Sequence, residues 1–194
     1  MVSISRFYLE PRTSIVISAN KPVSITFKIR YPVWVDKGKL VIKVNNSPVS
    51  VEADSYGFVS IERKWKQGDR IDIELPMQTS IERLPDGSDY VAILHGPVVL
   101  AAKTSQENLT GLRAGEGRQA HIPNGPEISL NEAPILVTED IDNLAQQIKP
   151  IPNKPMTFSA ASVIQPTEYQ QLELIPFFRV HDWRYMIYWR LASQ

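Results

Sequence analysis

The sequence predicts an all-β protein, namely a two-sheet antiparallel β-sandwich of jelly-roll type with one short helix. Three observations support this fold class. Many short segments alternate apolar and polar residues with a period of two, as strands with one buried face do. The 194 residues include 15 prolines, which fall between these segments as expected for strand ends and turns. Only one segment has a helical period, so packed sheets must supply the core.

The N-terminal third contains the clearest strand. Val23, Ile25, Phe27 and Ile29 alternate with polar residues over a full strand length, which predicts one buried face. Shorter strands are predicted on both sides of it, around Ile15 and Ile17 and at residues 40–44 and 49–51.

The segment from Tyr56 to Met77 predicts a β-hairpin. Two alternating segments, 59–65 and 71–75, flank the turn-forming residues Lys66 to Asp69. Gly68 in this turn can adopt the positive φ that most such reversals require.

The second half of the chain combines apolar strands with one helix. Residues 90–94 and 98–102 are continuous apolar segments, which indicates strands covered on both faces. The only helical period runs from Ile141 to Ile148, where Thr138 or Asp140 can cap the helix. Further short strands follow after residue 156.

We expect these elements to form one β-sandwich unit over residues 1–194. The main sandwich is predicted in residues 1–102, and the strands of 156–194 are predicted to return to it. Residues 103–134 have little periodicity and many small polar residues, so an irregular surface excursion is predicted there.

Charge and composition exclude several classes of function. The 21 basic residues balance 21 acidic ones, so no positive field favours nucleic acid. The sequence has no cysteine, which excludes disulfides, thiolate metal ligands and thiol nucleophiles. His95, His121 and His181 are too widely spaced to suggest a metal site. We therefore expect neither a metal nor another cofactor.

No membrane span or targeting segment is predicted. The longest mostly apolar segment, Tyr90 to Ala102, is interrupted by His95, Gly96 and Pro97 and is shorter than the roughly 20 residues of a membrane helix. The first residues lack the basic region and apolar run of a signal peptide. The sequence does not fix the compartment, and a periplasmic or extracellular location stays open for a longer parent protein.

Several short motifs follow one another in a fixed order along nearly the whole chain. They are Phe27-Lys28-Ile29-Arg30 with Pro32 and Trp34, Ile61-Glu62-Arg63-Lys64-Trp65 with Gly68-Asp69, Leu75-Pro76-Met77, His95-Gly96-Pro97-Val98, Glu132-Ala133-Pro134, Leu174-Ile175-Pro176-Phe177, and His181-Asp182 with Arg184-Tyr185-Met186-Ile187-Tyr188-Trp189. This series resembles the C-terminal region of β-L-arabinofuranosidases, glycoside hydrolase families 127 and 146. One departure is Asn45-Asn46, where Asn-Gly is expected.

The resemblance implies a β-sandwich region that follows a catalytic (α/α) barrel. In that family the barrel carries a cysteine nucleophile, a zinc ion held by cysteines and a glutamate, and an acid/base glutamate. The present sequence has no cysteine and no helical repeats. No catalytic residue can therefore be assigned to it by resemblance.

Two tryptophans and one charged loop are the candidate interface or sugar-binding residues. Trp34 follows Pro32, and His181, Asp182, Trp183 and Arg184 form the loop. Exposed aromatic rings are flat platforms for the C–H faces of sugars. By contrast, Trp65 and Trp189 lie within alternating strands and are expected in the core.

Asp182 and Glu132 are the acids for which a role in binding a ligand or an interface is considered. For Asp182 the structural alternative is an ion pair with Arg184 or Arg179 that fixes the start of the last strand. His181 has the same two interpretations, a binding role or a structural one. Because glycoside hydrolysis requires two carboxylates at a defined separation, proximity of acids along alternating strands is not evidence of catalysis.

The leading hypothesis is a non-catalytic accessory β-sandwich that braces the catalytic barrel of a glycoside hydrolase. Two alternatives remain open, a stand-alone carbohydrate-binding module for arabinose-containing plant glycans and a dimerisation domain. Whether the chain alone is an enzyme is undecided at this point.

Overall fold

The computed structural model describes residues 2–4, 10–107, 109 and 129–192, with side chains from residue 10 onward. Its described residues are mostly β-structure, which confirms the predicted all-β class. The chain divides into two compact units, Met1–Gln78 and Thr79–Gln194. Each unit has its own apolar core and is described by itself. The single sandwich predicted over residues 1–194 stays a prediction.

The first unit is a sandwich of two sheets of unequal size. Its strands are β1 (Val2–Ile4), β2 (Arg12–Ile17), β3 (Val23–Arg30), β4 (Val41–Val44), β5 (Ser47–Pro48), β6 (Phe58–Trp65) and β7 (Arg70–Glu74). Five strands form one sheet in the order β1-β2-β7-β4-β5, and β3 and β6 form a two-stranded sheet. All these neighbours are antiparallel.

The core of the first unit lies between the two sheets. Trp65 on β6 and Ile71 on β7 are fully buried. The Trp65 ring meets Phe27 edge-on at a centroid distance of 5.0 Å, and its indole N–H donates to the carbonyl of Ile25 at 3.0 Å. The prediction that Trp65 belongs to the core is confirmed.

The predicted hairpin from Tyr56 to Met77 is wrong in its pairing, although both of its strands are present. Among the named strands β6 pairs with β3, an isolated bridge joins its Val59 to Ala53, and β7 lies between β2 and β4. The connection between β6 and β7 therefore crosses from one sheet to the other. The apolar residues of the two strands face each other across the core, an arrangement that gives the same local alternation as a hairpin.

The turn between β6 and β7 is held by Asp69, which is largely buried. Its carboxylate accepts from the Lys66 N–H and from Nδ2 of Asn45, both at 2.8 Å. The Asn45 side-chain oxygen accepts from the Arg70 N–H at 2.9 Å. The bonds from Asn45 and Lys66 hold the pKa of the Asp69 carboxyl below its usual value.

Asn45 and Asn46 form the two-residue turn between β4 and β5. Their φ angles are 50° and 67°, and Val44 pairs with Ser47 across the turn. Positive φ at both central positions is the geometry of a type I′ turn, which Asn tolerates better than most residues. Asn46, at the position where Gly is expected, keeps this turn, and Asn45 supplies the amide for Asp69.

The second unit contains one large sheet and several short helical turns. Its strands are β8 (Thr79–Arg83), β9 (Tyr90–His95), β10 (Val98–Ser105), β11 (Ile135–Val137), β12 (Lys149–Pro150), β13 (Phe158–Ser159), β14 (Ile164–Gln165), β15 (Glu173–Pro176), β16 (Arg184–Met186) and β17 (Tyr188–Ala192). The main path of the sheet runs β12-β13-β15-β10-β9-β17-β11-β14, with β16 beside β10 and β8 beside β9. Short 3₁₀ helices cover Leu130–Glu132, Thr167–Tyr169 and Phe177–Arg179.

The core of this unit is built on the central strands. Val91 and Ile93 of β9, Leu100 of β10 and Trp189 of β17 are fully buried and belong to one apolar cluster. The predicted core position of Trp189 is confirmed. Part of the predicted excursion over 103–134 is strand, because β10 extends to Ser105, and residues 108 and 110–128 lie outside the described ranges.

The predicted helix is present as α1 (Leu144–Gln147), a single turn. Leu144 and Ile148 are buried, as their spacing predicts. The helix is shorter than its period because Asp140 organises the preceding residues as a separate turn, accepting from the N–H groups of Asp142 and Asn143 at 3.0 and 3.2 Å. No helix within the described ranges is long and apolar enough to span a membrane.

The contact between Asn45 and Asp69 leads to a test by charge. Asn45→Asp preserves side-chain size but removes the donor to Asp69 and places two carboxylates together. We expect a melting temperature several degrees below that of the wild-type protein at neutral pH. The equivalent change at the neighbouring exposed residue, Asn46→Asp, is the matched control and should have a smaller effect.

The pH dependence of stability identifies the cause of the lower melting temperature expected for Asn45→Asp. In the Asn45→Asp variant, repulsion between the introduced carboxylate and Asp69 raises the native-state pKa of this pair, so the native state binds more protons than the unfolded state. Stability of Asn45→Asp relative to Asn46→Asp should therefore recover as the pH falls towards about 4, the usual carboxyl range. A deficit that is independent of pH would contradict the proposed role of this contact.

Candidate functional site

The predicted candidate residues divide between the two units. Trp34 lies in the loop after β3, is half-buried and packs against the core of the first unit. The other four candidates lie in the second unit: His181, Asp182 and Trp183 follow the 3₁₀ helix Phe177–Arg179, and Arg184 is the first residue of β16. Each set is therefore described within its own unit.

Trp183 is half-buried and stacks with a cation. The Nζ atom of Lys103 lies 5.2 Å from the centroid of the Trp183 ring, a distance typical of a cation–π interaction. Lys103 is on β10, so this contact connects the loop to the sheet. The ring predicted as a sugar platform is therefore already engaged by a side chain of the same unit.

Arg184 opens β16 and binds the backbone that continues from β10. Its Nε donates to the carbonyl of Glu107 at 2.9 Å. The pairing of β16 with β10 is irregular here, because the register shifts between Lys103 and Ser105, as in a β-bulge that redirects side chains. Arg179, the other proposed partner of Asp182, donates instead to the carbonyl of Pro155 at 3.0 Å.

His181 and Asp182 are exposed. Asp182 has φ of +52°, the left-handed region that Asp enters at lower cost than most residues. Within the described ranges Asp182 makes no ion pair, so the proposed pairing with Arg184 or Arg179 is not observed. The geometry explains Asp182 as a turn residue.

Sequence reasoning missed an aromatic surface directly after this loop. Tyr185 is 47% exposed, and its ring packs on Phe177 at 5.1 Å between centroids. Met186, the next residue of β16, packs against the core, as strand alternation predicts. The available signal was this alternation in β16, but the 3₁₀ helix that brings Phe177 alongside could not be read from it.

Two surface clefts border Tyr185. One, of about 470 Å³, is lined by Tyr188, Tyr90 and Arg190 among others. The other, of about 500 Å³, is lined by Glu107, Glu132 and Arg184 among others. Both clefts also share Leu130, Ala133, Pro134, Tyr185 and Met186.

The first unit has a different kind of surface depression, on its five-stranded sheet. A shallow cleft of about 830 Å³ is lined mainly by charged side chains. These bind one another across strands, since Asp72 accepts from Ser14 Oγ at 2.6 Å and from Arg70 Nε at 2.7 Å, and Lys43 pairs with Glu74 at 3.0 Å. The groups stabilise the sheet and offer no aromatic platform.

Titratable groups with shifted pKa values serve structural contacts in the described residues. Five aspartates have a lowered pKa because their carboxylates accept hydrogen bonds, chiefly Asp54 from the Phe58 N–H, Asp69 from the Asn45 amide, Asp72 from the Ser14 hydroxyl, Asp86 from the Ser88 N–H and Asp140 from the Asn143 amide. A lowered pKa favours a fixed anion, the opposite of a general acid.

His95 is a half-buried histidine on β9. Burial lowers the pKa of its imidazole; Nδ1 lies 3.1 Å from Thr79 Oγ1, and the ring packs on Phe158 at 4.7 Å. His121 lies outside the described ranges. Within them, no group of three or more His, Asp or Glu side chains could hold a metal ion.

Comparison with protein families divides the chain at the same place as the structure does. Residues 3–77 match a family described as "Beta-L-arabinofuranosidase, GH127 middle domain". Residues 80–191 match DUF4986, described as a domain of unknown function. The two matches correspond to the two compact units, whose boundary lies between Gln78 and Thr79. No curated protein matches the sequence.

Solved structures match the whole chain at low sequence identity. One, titled "Glycoside hydrolase", has a TM-score of 0.58 and 18% identity over 98% of this chain. A GH127 beta-arabinofuranosidase has 0.59 and 17% over 100%, and a GH127 beta-L-arabinofuranosidase from Geobacillus stearothermophilus T6 has 0.57 and 15% over 100%. The chain spans 30–32% of the length of these proteins.

The backbone of Asp182 provides a test of its structural role. Asp182→Gly removes the strain of positive φ, so we expect unfolding stability at or above that of the wild-type protein. Asp182→Ala keeps a Cβ without the local hydrogen-bonding capacity of Asp and should lose about 1 kcal/mol. Chemical denaturation measures both, and a loss in Asp182→Gly equal to that in Asp182→Ala would show that the carboxylate itself is required.

Proposed function

We propose that this chain, which belongs to the DUF4986 family through residues 80–191, is a non-catalytic accessory region that braces the catalytic barrel of a glycoside hydrolase. The GH127 middle-domain match lies ahead of the DUF4986 match, at residues 3–77. The resemblance to the C-terminal β-sandwich region of β-L-arabinofuranosidases is confirmed by these matches. The chain is therefore a glycoside-hydrolase-associated region. The bracing role, the barrel as partner and arabinose-containing glycans as ligands belong to the proposal.

The observation that carries the proposal is the alignment along the entire chain. The chain aligns over 98–100% of its length with structures named as glycoside hydrolases or arabinofuranosidases, but it accounts for only 30–32% of theirs. A region that retains this fold at such low identity is best explained by a common architectural role.

One end of the first unit has the surface that such a role requires. Val33 is 97% exposed and Tyr56 is 81% exposed. Their loops are joined by a hydrogen bond from the Tyr31 N–H to the Gly57 carbonyl at 2.8 Å. Trp34 lies half-buried beside Val33. Large apolar side chains that are exposed to solvent on hydrogen-bonded loops favour contact with another protein surface.

The non-catalytic assignment is tested by a direct assay. The purified chain, incubated with an aryl β-L-arabinofuranoside, should release no aglycone above the buffer rate, because the barrel supplies the chemistry in this proposal. The full-length enzyme from Geobacillus stearothermophilus, named as a β-L-arabinofuranosidase, is the positive control. Turnover by the chain that survives repeated purification would overturn the assignment.

The bracing role is tested by placing a charge on the exposed end. In the protein that contains both the barrel and this chain, Val33→Asp should shorten the half-life of activity at elevated temperature by severalfold, because a charge is then desolvated at the interface. In the isolated chain the same change should leave the melting temperature nearly unaltered, since Val33 is 97% exposed.

Ser24→Asp is the matched control for this experiment. Ser24 is exposed near the opposite end of β3, so the variant carries the same charge away from Val33 and Tyr56. Equal half-lives for Val33→Asp, Ser24→Asp and the wild-type protein would exclude this end as the bracing surface.

A further inference from the structure

We propose that the clefts around Tyr185 in the second unit bind a neutral carbohydrate, with Tyr185 as the stacking platform and Glu132 and Arg184 as hydrogen-bonding groups. This inference rests on the glycan-binding part of the proposed function and does not depend on the bracing role. Its residues belong to the second unit, whereas Val33 and Tyr56 belong to the first. The site also differs from the predicted sugar platforms, Trp34 and Trp183.

The shape of the surface favours an extended ligand. Both clefts are lined by Leu130, Ala133 and Pro134 together with Tyr185. The two clefts therefore adjoin each other at these residues. The volumes of about 470 and 500 Å³ fall within the range of roughly 300–1,000 Å³ found for small-molecule sites. A short oligosaccharide can therefore place one unit on Tyr185 and its neighbours in the adjoining clefts.

The Tyr185 ring is available and already held in place. It is 47% exposed, it packs on Phe177 at 5.1 Å, and its backbone pairs with Lys103 of β10. Binding to a ring that is positioned beforehand costs little conformational entropy. Tyrosine combines an apolar face for sugar C–H groups with a hydroxyl for sugar oxygens.

The polar groups of the second cleft match the edge of a sugar. Carboxylates accept hydrogen bonds, guanidinium groups donate them and hydroxyls do both, and the lining contains all three kinds, namely Glu107 and Glu132, Arg184, and the hydroxyls of Thr104, Ser105 and Ser129. The bond from Arg184 Nε to the Glu107 carbonyl orients the guanidinium. Glu132 is exposed and forms no ion pair within the described ranges.

The charge balance selects the class of sugar. Among the described residues that line this cleft, two carboxylates, those of Glu107 and Glu132, outnumber the one guanidinium of Arg184, which disfavours phosphate groups and uronic acids. A metal-bridged ligand has no support either, since no cluster of potential ligands occurs in the described part of the chain. A ligand with hydroxyl edges, an apolar ring face and no charge remains, which is a neutral glycan.

Calorimetric titration of the whole chain tests the site. The ligands are neutral arabino-oligosaccharides and, in parallel, neutral xylo-oligosaccharides and a charged oligogalacturonate. We expect binding of at least one neutral series at millimolar ligand and none of the charged one. Tyr185→Ala should weaken binding about tenfold, the loss of a stacked ring, whereas Tyr185→Phe should retain most of it. Tyr56→Ala, an exposed tyrosine in the other unit, is the control and should bind as the wild-type chain.

Three results would overturn the proposal. The first is no binding of either neutral series to the folded wild-type chain. The second is unchanged affinity in Tyr185→Ala. The third is a dimer in light scattering that Tyr185→Ala dissociates, which would assign the aromatic surface to contact between copies of the chain. Because the bracing test uses Val33 and a thermal readout, failure of one proposal is distinguishable from failure of the other.

Discussion

The buried carboxylate of Asp69 is the contact on which the first unit depends. It joins the turn between β6 and β7 to the turn between β4 and β5 through Asn45. The backbone of the same segment also bonds to the end of β2, since the Ile17 N–H donates to the Asp69 carbonyl at 2.8 Å and the Gly68 N–H donates to the Ile17 carbonyl at 2.9 Å. Three segments thus meet where the chain passes from β6, which carries Trp65, to β7, which carries Ile71.

Much of the secondary structure could be predicted from the sequence, but strand partners could not. The alternation in 59–65 and 71–75 identifies which side chains are buried, and β6 and β7 are indeed there. The same alternation arises whether two strands pair or face each other across a core. The choice is made by distant contacts, such as the eight-residue register of β6 with β3, which leave no local sign.

The clearest alternating strand also proved to be less buried than its pattern predicts. Val23 is 38% exposed and Ile25 is 43% exposed, because within the described residues β3 has β6 as its single partner, in a two-stranded sheet. Periodicity reports which face of a strand is apolar and does not report how many neighbours cover it. In the candidate site the limit is similar. Trp183 was conspicuous in the sequence, whereas Tyr185 gains its setting from Phe177 and from residues 129–134, which are brought to it by the fold.

The boundary between Gln78 and Thr79 has a consequence for how such proteins arise. Every strand pairing described for the chain stays on one side of it, and the two family matches end and begin within three residues, at 77 and 80. A recombination event at that point would separate the coding segments without interrupting a single ladder of hydrogen bonds. The hydrogen-bonded ladders described in each half would therefore remain whole if the two coding segments were exchanged separately.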